Sequence, residues 1–226
     1  KAIHPVLTIL YIKYMLAGRC DRRFSPGEAL DLKIVCNFIN SIGFDNVYVL
    51  RPHSDKTMQY LERAREDDVS TRILVACRYD NAQNKHRTCF VIPDEGATRW
   101  VKTREWNLEP CIIGNKKRTS DGHIEIDFTA RKWDNQVVDQ LESKKDYSNF
   151  VIIDDLCDGG GTFIEIAKKI KAKIPAAKVY LCVTHAIFSK GFQPFEGWID
   201  RIYCTNSFSD LNLLSNPHPL ITQIKL

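Results

Sequence analysis

Between Asn149 and Lys171 the chain reads NFVIIDDLCDGGGTFIEIAKKIK, with two adjacent carboxylates, Asp154 and Asp155, and three consecutive glycines, Gly159, Gly160 and Gly161. Carboxylates accept hydrogen bonds from a sugar diol. Glycines let a phosphate approach the main chain at a helix start, where backbone N–H groups favour anions. Acids beside such a nest repel phosphate, so the combination makes sense for one ligand that carries both groups. That ligand is a ribose whose hydroxyls meet Asp154 and Asp155 and whose 5-phosphate meets the loop from Asp158 to Thr162. The alternative is a plain strand-to-helix turn. The flanks fit either reading. Phe150 to Ile153 form the short β-branched run of a buried parallel strand, and Ile164, Ile166, Ala167 and Ile170 recur at helical spacing with lysines opposite. Open α/β sheets bind ligands at such carboxyl ends.

Further polar clusters close other apolar runs: GRCDRR, HSD, PDEGAT and NKKR. Their basic, acidic and histidine members suit a divided phosphate, sugar and metal site. The 8 cysteines include no C-x-x-C pair, which argues against a zinc cage. Several sit in apolar runs as small hydrophobes, as in a reducing cytosol. Cys20 and Cys157 fall near the candidate site without a partner base, so neither is expected to be a nucleophile.

The elements that must hold these residues follow from patterning. With 226 residues and 44% hydrophobic content, the chain can build one large core or two small ones. Strands and helices alternate, which argues an α/β architecture with parallel sheets. Strands are expected over 5–14, 46–50, 88–98 (a strand running into a turn), 110–114, 123–128, 150–153, 178–188 and 199–208. One helix opens at Gly27 and Glu28 and ends at Gly43, and others are expected over 58–66, 97–106 and from Thr162. Residues 70–81 are ambiguous between helix and strand. NKKRTSDGH reads as a mobile loop. A polar stretch near 78–90 marks a domain break, giving domains 1–84 and 85–226. No apolar stretch approaches the roughly 20 residues that span a bilayer, and no secretory pattern opens the chain. A net charge of +4 is too mild to argue for nucleic acid. A chain that starts at Lys1 is expected to lack residues upstream.

KYMLAGRCDRRFSPGEALDLKIVCNFINSIGFDNVYVLRPHSD resembles a stretch of the ribose-phosphate pyrophosphokinase (phosphoribosyl pyrophosphate synthetase) family. The shared features are an Ala-Arg-Gln-Asp-Arg motif, a Pro-Gly-Glu segment and a His-Ala-Asp turn. FVIPDEGATRWV resembles its Pro-Asp-x-Gly segment and CIIGNKKR the start of its flexible catalytic loop. VIIDDLCDGGGTF resembles its ribose-phosphate loop, and KVYLCVTHAIFSKG its Ala-Thr-His-Gly strand. The matches follow the family's order along nearly the whole chain. The resemblance implies two phosphoribosyltransferase-like α/β domains with the site between them, the first of them partial. It implies transfer of a diphosphate from ATP to ribose 5-phosphate, with Mg²⁺ bridging the phosphates, in a cytoplasmic homo-oligomer that binds neither nucleic acid nor membrane. By position, Arg19 and Arg22 would hold ATP, and His53 and Asp94 would lie by the metal. Lys116 and Arg118 would close over the transferring group, with Lys117 a rival in register. Asp154 and Asp155 would bind the ribose hydroxyls, and Asp158, Gly159, Gly160, Gly161 and Thr162 the 5-substituent. His53 has a hydrogen-bonding role as its alternative, because Mg²⁺ prefers oxygen. His185 reads as a core or strand-end histidine.

The departures bear on substrate. The family's Phe-Ser-Asp-Gly-Glu segment, which contacts adenine from a neighbouring subunit, is not in this chain, and Cys20 replaces a glutamine. Gly159 stands where the family has threonine, which removes a donor and opens space beside the 5-substituent. ADP-ribose, for NAD synthesis, is therefore an alternative acceptor. A non-catalytic regulatory homologue is a second alternative.

Overall fold

The computed structural model describes residues 7–81, 87–98, 111–118, 124–128, 131–133, 136–138, 146–211 and 218–226. The chain forms two compact units, Lys1–Val69 and Ser70–Leu226. The division falls ahead of the boundary expected at 84.

The first unit holds a three-stranded parallel sheet, β1 (Ile9–Ile12), β2 (Asn46–Leu50) and β3 (Ala64–Asp67), in that order. The crossovers are α1 (Asp31–Ile42) and the short α2 (Lys56–Tyr60). Leu32 and Cys36, one helical turn apart on α1, pack against Met15, Val47, Val49 and Leu61. Gly43 ends α1 in the left-handed region, with φ 79°. The helix does not open at Glu28 as expected. Gly27 has φ 88°, and the Glu28 carboxylate accepts the Phe24 N–H at 2.6 Å, so the Pro-Gly-Glu segment is a closed turn. The helix expected over 58–66 also stops short. Leu61 turns into the core, Arg63 takes φ 53°, and residues 64–67 pair with β2. Sheet pairing there overrides the local helical preference.

The second unit carries a six-stranded sheet in the order β13-β12-β11-β10-β4-β5, every pair parallel. These are β4 (Thr88–Ile92), β5 (Cys111–Ile113), β10 (Asn149–Cys157), β11 (Lys178–Ala186), β12 (Arg201–Thr205) and β13 (Ile221–Ile224). β13, partly buried at the edge, was not expected from the sequence. Two antiparallel hairpins lie between β5 and β10: β6 (Asn115–Arg118) with β7 (Ile124–Asp127), and β8 (Arg131–Trp133) with β9 (Gln136–Val138). Residues 70–81 are helical, as α3 (Ser70–Asn81), with Ile73, Leu74 and Cys77 buried, and α3 packs on β11 and β12. α4 (Gly161–Lys173) buries Phe163, Ile166, Ala167 and Ile170 against Phe150, Ile152, Val179 and Leu181. A helix over 97–106 falls largely outside the described residues. No helix among them is long and apolar enough to cross a membrane, and all eight cysteines are free thiols.

Asp200 ties the far end of α4 to the start of β11. Its carboxylate accepts the Val179 N–H at 2.9 Å, with Lys178 Nζ at 2.9 Å and Lys171 Nζ at 3.2 Å. Burial works to raise its pKa, but these bonds outweigh it and leave the group below the ordinary 3.8. The stabilisation is therefore present above the unfolded value and is lost as pH falls through the folded one. Asp200→Asn should cost about 1–2 kcal/mol at neutral pH. The deficit should shrink in acid. Urea melts of both proteins across pH check this; a deficit that is constant with pH counts against the clamp.

Candidate active site

Sheet order directs attention to β4 and β10. From β4 the chain goes to β5 on one side, and later returns to place β10 on the other. That reversal is a topological switch point, and ligands bind α/β sheets beyond the carboxyl ends of the strands there. The registered pairing of β10 with β4 ends at Ile152↔Val91. Beyond it β10 runs on beside β11, to Cys157↔Ala186. The strand therefore does not end at Ile153: Asp154 and Asp155 lie within it, ahead of Leu156 and Cys157, on a rigid element.

Asp155 is buried and Asp154 half-buried. Asp154 Oδ1 accepts the Asp155 N–H at 2.8 Å. Burial, then the adjacent Asp155 carboxylate, and more weakly Asp94, push the Asp154 pKa well above its ordinary value. Such a group accepts a hydroxyl hydrogen bond or shares a proton with its neighbour, and it favours a partner that relieves the charge. Cys157, one turn of the strand further, is also pushed well up, by burial and by Asp154 and Asp158. It is an inert thiol rather than a nucleophile, as the sequence indicated.

After Asp158 and Gly159, Gly160 begins α4 in the left-handed region with φ 76° and no side-chain cap. The first-turn N–H groups of a helix have no intrahelical acceptor, which leaves them available to an anion. Gly160 is fixed twice over: a Cβ there would lie 2.2 Å from the Phe195 ring. Gly159 is different. Its backbone is ordinary, and a Cβ would meet the Lys190 stem, Cδ and Cε, at 3.4 Å. The room that Gly159 was expected to open is thus bordered by the Lys190 stem at van der Waals distance.

Asp94 follows β4, and its Oδ1 accepts the Ala97 N–H at 3.1 Å. Gly114 follows β5 and passes so close to β4 that an added Cβ would lie 2.4 Å from the Pro93 carbonyl oxygen. Its N–H donates to the Ile92 carbonyl at 2.8 Å. This contact delivers the NKKR segment beside Asp94. The segment is not wholly a loop: residues 115–118 form β6, and residues 119–123 lie outside the described residues. Lys116 is half-buried opposite the buried Ile126, and Lys117 is exposed opposite Glu125. Of the two lysines, Lys116 is the more sequestered. For Arg118 only the backbone pairing with Ile124 is described.

The remaining expected residues lie in the first unit. Arg19 and Arg22 are exposed on the loop after β1, and His53 is exposed after β2. Asp21 joins the two segments. Its carboxylate accepts the Ser54 hydroxyl at 2.8 Å, and its carbonyl accepts Lys56 Nζ at 2.8 Å. A Cβ at Gly18 would sit 3.9 Å from His53 Cβ. Asp21, Ser54 and Lys56 organise this cluster and were not singled out in the sequence, although the acid within GRCDRR was the available signal. Arg51, buried and at φ 41°, sets the turn into Pro52 and His53 and reaches Asp68 at 3.3 Å. His185 is buried, with Nδ1 2.9 Å from the Ser207 hydroxyl, which fits its expected strand-end role.

Mg²⁺ binds through oxygen, commonly one or two carboxylates plus substrate phosphates. Asp94 fits that requirement. Among the described residues no group of three or more His, Cys, Asp or Glu makes a preformed cage.

No family model matches the chain. Curated relatives named ribose-phosphate pyrophosphokinase do. One from Gloeobacter violaceus is 26% identical over 79% of this chain and 50% of its own length. One from Methanobrevibacter smithii is 26% identical over 88% of this chain and 66% of its own. The chain is similar in sequence to the ribose-phosphate pyrophosphokinases. It spans between half and two thirds of the length of these relatives. The crystal structure of phosphoribosylpyrophosphate synthetase from Mycobacterium smegmatis superposes with a TM-score of 0.74 over 97% of this chain and 67% of that one. At 16% identity, this establishes the shared α/β fold.

Two outcomes test this geometry. Asp154 has a raised folded pKa, so it supports the fold while protonated and weakens it as pH rises through that value. Asp154→Asn should therefore raise the melting temperature at alkaline pH and flatten its pH dependence. A variant no more stable than the parent at alkaline pH would contradict this. Gly160→Ala should cost roughly 2–4 kcal/mol through backbone strain and overpacking against Phe195. Gly159→Ala should cost well under half as much, because the Lys190 stem can yield. Thermal denaturation of the pair decides between this order and equal sensitivity.

Proposed function

We propose that the protein transfers a diphosphoryl group from ATP to the anomeric hydroxyl of ribose 5-phosphate, giving phosphoribosyl pyrophosphate and AMP. The observation that carries this reading is the carboxylate pair Asp154 and Asp155 immediately before an uncapped helix start, at the switch point beside Asp94. Relatives of that name, 26% identical, support it.

The anomeric oxygen attacks the β-phosphorus of ATP. The bond from that phosphorus to the α–β bridging oxygen breaks, the bridging oxygen leaves on AMP, and the hydroxyl proton passes to solvent. Such transfers gain mainly from positioning and charge neutralisation. Asp154 and Asp155 accept hydrogen bonds from the ribose diol and fix the sugar's rotation. The backbone from Asp158 to Thr162 holds the 5-phosphate. Lys116 and Arg118 stabilise charge on the transferring group, and Arg19 and Arg22 hold the ATP phosphates. Asp94 is the carboxylate that would hold Mg²⁺, which would supply charge neutralisation to those phosphates. His53 would lie by that metal or serve as a hydrogen-bonding neighbour. Homo-oligomeric assembly and a place in cytoplasmic nucleotide synthesis belong to the same proposal.

ADP-ribose is the less favoured acceptor, because the Lys190 stem lies over Gly159 where a wider mouth would be needed. A regulatory, non-catalytic role is disfavoured by the intact Lys116, Lys117 and Arg118. AMP release with ribose 5-phosphate and ADP-ribose in parallel tests the reading. Turnover is expected with the former, and Lys116→Ala should lower kcat by about 100-fold or more. Absence of AMP with either sugar rejects the enzymatic reading, and unchanged turnover in Lys116→Ala rejects the role of that lysine.

A further inference from the structure

Lys190 was not among the residues that the sequence singled out, yet its stem crosses directly over Gly159, with Cδ and Cε at 3.4 Å and Cγ at 3.8 Å from the position of a Cβ there. The ammonium lies one bond beyond Cε. Among the described residues no hydrogen bond or ion pair holds it.

The segment that carries Lys190 is built to keep it there. The N–H groups of Ile187 and Phe188 donate to the Cys157 carbonyl at 2.9 and 3.3 Å, which ties the end of β11 to the end of β10. Phe188 stacks edge-on against Phe192 and Phe195, with centroids 5.0 and 5.6 Å away, and the Phe195 ring closes on Gly160. Phe188 takes φ 50°, and the Gly191 N–H closes a turn on its carbonyl at 2.8 Å. A non-glycine residue in the left-handed region costs of order 1–3 kcal/mol and persists where its surroundings insist on it. Here the strained turn projects one lysine over the loop that follows Asp158. An unpaired side chain with four rotatable carbons would ordinarily be free to leave. This one is exposed, with its stem laid along a glycine that offers no side chain of its own.

We propose that Lys190 is a substrate-binding residue whose ammonium pairs with the phosphate on the 5-carbon of the sugar, and that it takes over from the hydroxyl donor that a side chain at position 159 would supply. The inference rests on the ribose-phosphate reading of the loop. A cation there also offsets the negative field of Asp154, Asp155 and Asp158, which otherwise disfavours a phosphate dianion. Gly159 and Lys190 then act together: a branched side chain at 159 would press on the lysine stem and displace the ammonium.

The test is calorimetric titration of the full chain with ribose 5-phosphate and with ribose, using wild type, Lys190→Met and Lys190→Arg, together with steady-state kinetics. Methionine keeps most of the stem and removes the charge. Lys190→Met should weaken ribose 5-phosphate binding by about tenfold or more, and raise its KM with the KM for ATP unchanged, while Lys190→Arg should stay within about threefold of wild type. The wild-type affinity should fall with salt, and that salt dependence should be reduced in Lys190→Met. Equal affinity of wild type and Lys190→Met overturns this inference and leaves the diphosphokinase reading standing. Wild type that binds but releases no AMP, with Lys190→Met still weaker, rejects the reaction and keeps the lysine's role in binding. Wild type that does not bind ribose 5-phosphate overturns both.

Discussion

Two adjacent carboxylates cannot both stay charged at little cost in the half-dehydrated end of a parallel strand, and the second unit is organised around that constraint. Burial and the mutual repulsion of Asp154 and Asp155 push protonation of Asp154 well up. An ordinary fold would place such acids in a solvated loop. Here β10 keeps them in extended backbone beside β11, past the point where its pairing with β4 ends. The open strand end at the switch point and the placement of the acids on it share one cause, the continuation of β10 without its β4 neighbour. The free energy that this arrangement costs is recoverable by a ligand that donates hydroxyl hydrogens or brings positive charge, which is the sense in which strain and burial cluster at sites.

The parts around the carboxylates are held by close backbone approaches rather than by long side chains. Gly114 lets the start of β6 come against Pro93, and Gly160 lets α4 begin under Phe195. Each tolerates no Cβ, and each sets the position of a neighbour to which the proposed reaction gives a role: Lys116 in the first case and the first turn of α4 in the second. In the first unit the equivalent role falls to polar contacts. Asp21 fastens the arginine loop to the turn that carries His53 through Ser54 and Lys56. Its carboxyl titrates below the usual value, since the bonds from Ser54 and Arg22 and the charges of Arg22 and Lys56 outweigh the burial that would raise it. Arginines on such a loop are exposed yet directed, because the backbone between them is pinned.

Much of this was legible in the sequence wherever one local pattern sufficed. The apolar run 150–153, the helical repeat from Thr162 and the strand of residues 178–186 each carry a clear period, and each is found. The same signals marked Asp154 to Thr162 as one site. What was illegible depended on partners distant in sequence. Residues 64–67 look helical until β2 offers them a ladder. The four-residue β13 has no pattern of its own and exists because β12 presents an open edge. Glu28 reads as a helix opener by its neighbours, but its carboxylate is committed to the Phe24 N–H. Lys190 could not be found at all, because nothing in the string SKG signals that its stem will lie on a glycine far behind it.

That contact changes how a glycine substitution in a phosphate loop is to be read. From sequence, loss of a side chain at 159 means lost donation and gained room, and it argues for a longer ligand. In the folded unit that room is bordered by a side chain from the next strand's exit, and the lost neutral donor has a charged side chain beside it. The two positions are separate in sequence but joined through Cys157, whose carbonyl receives the N–H groups of Ile187 and Phe188. The loop proposed to bind phosphate is therefore not defined by its own residues. Its capacity and charge depend on what the adjacent strand delivers beside it, and the aromatic trio of Phe188, Phe192 and Phe195 holds the turn from which Lys190 projects.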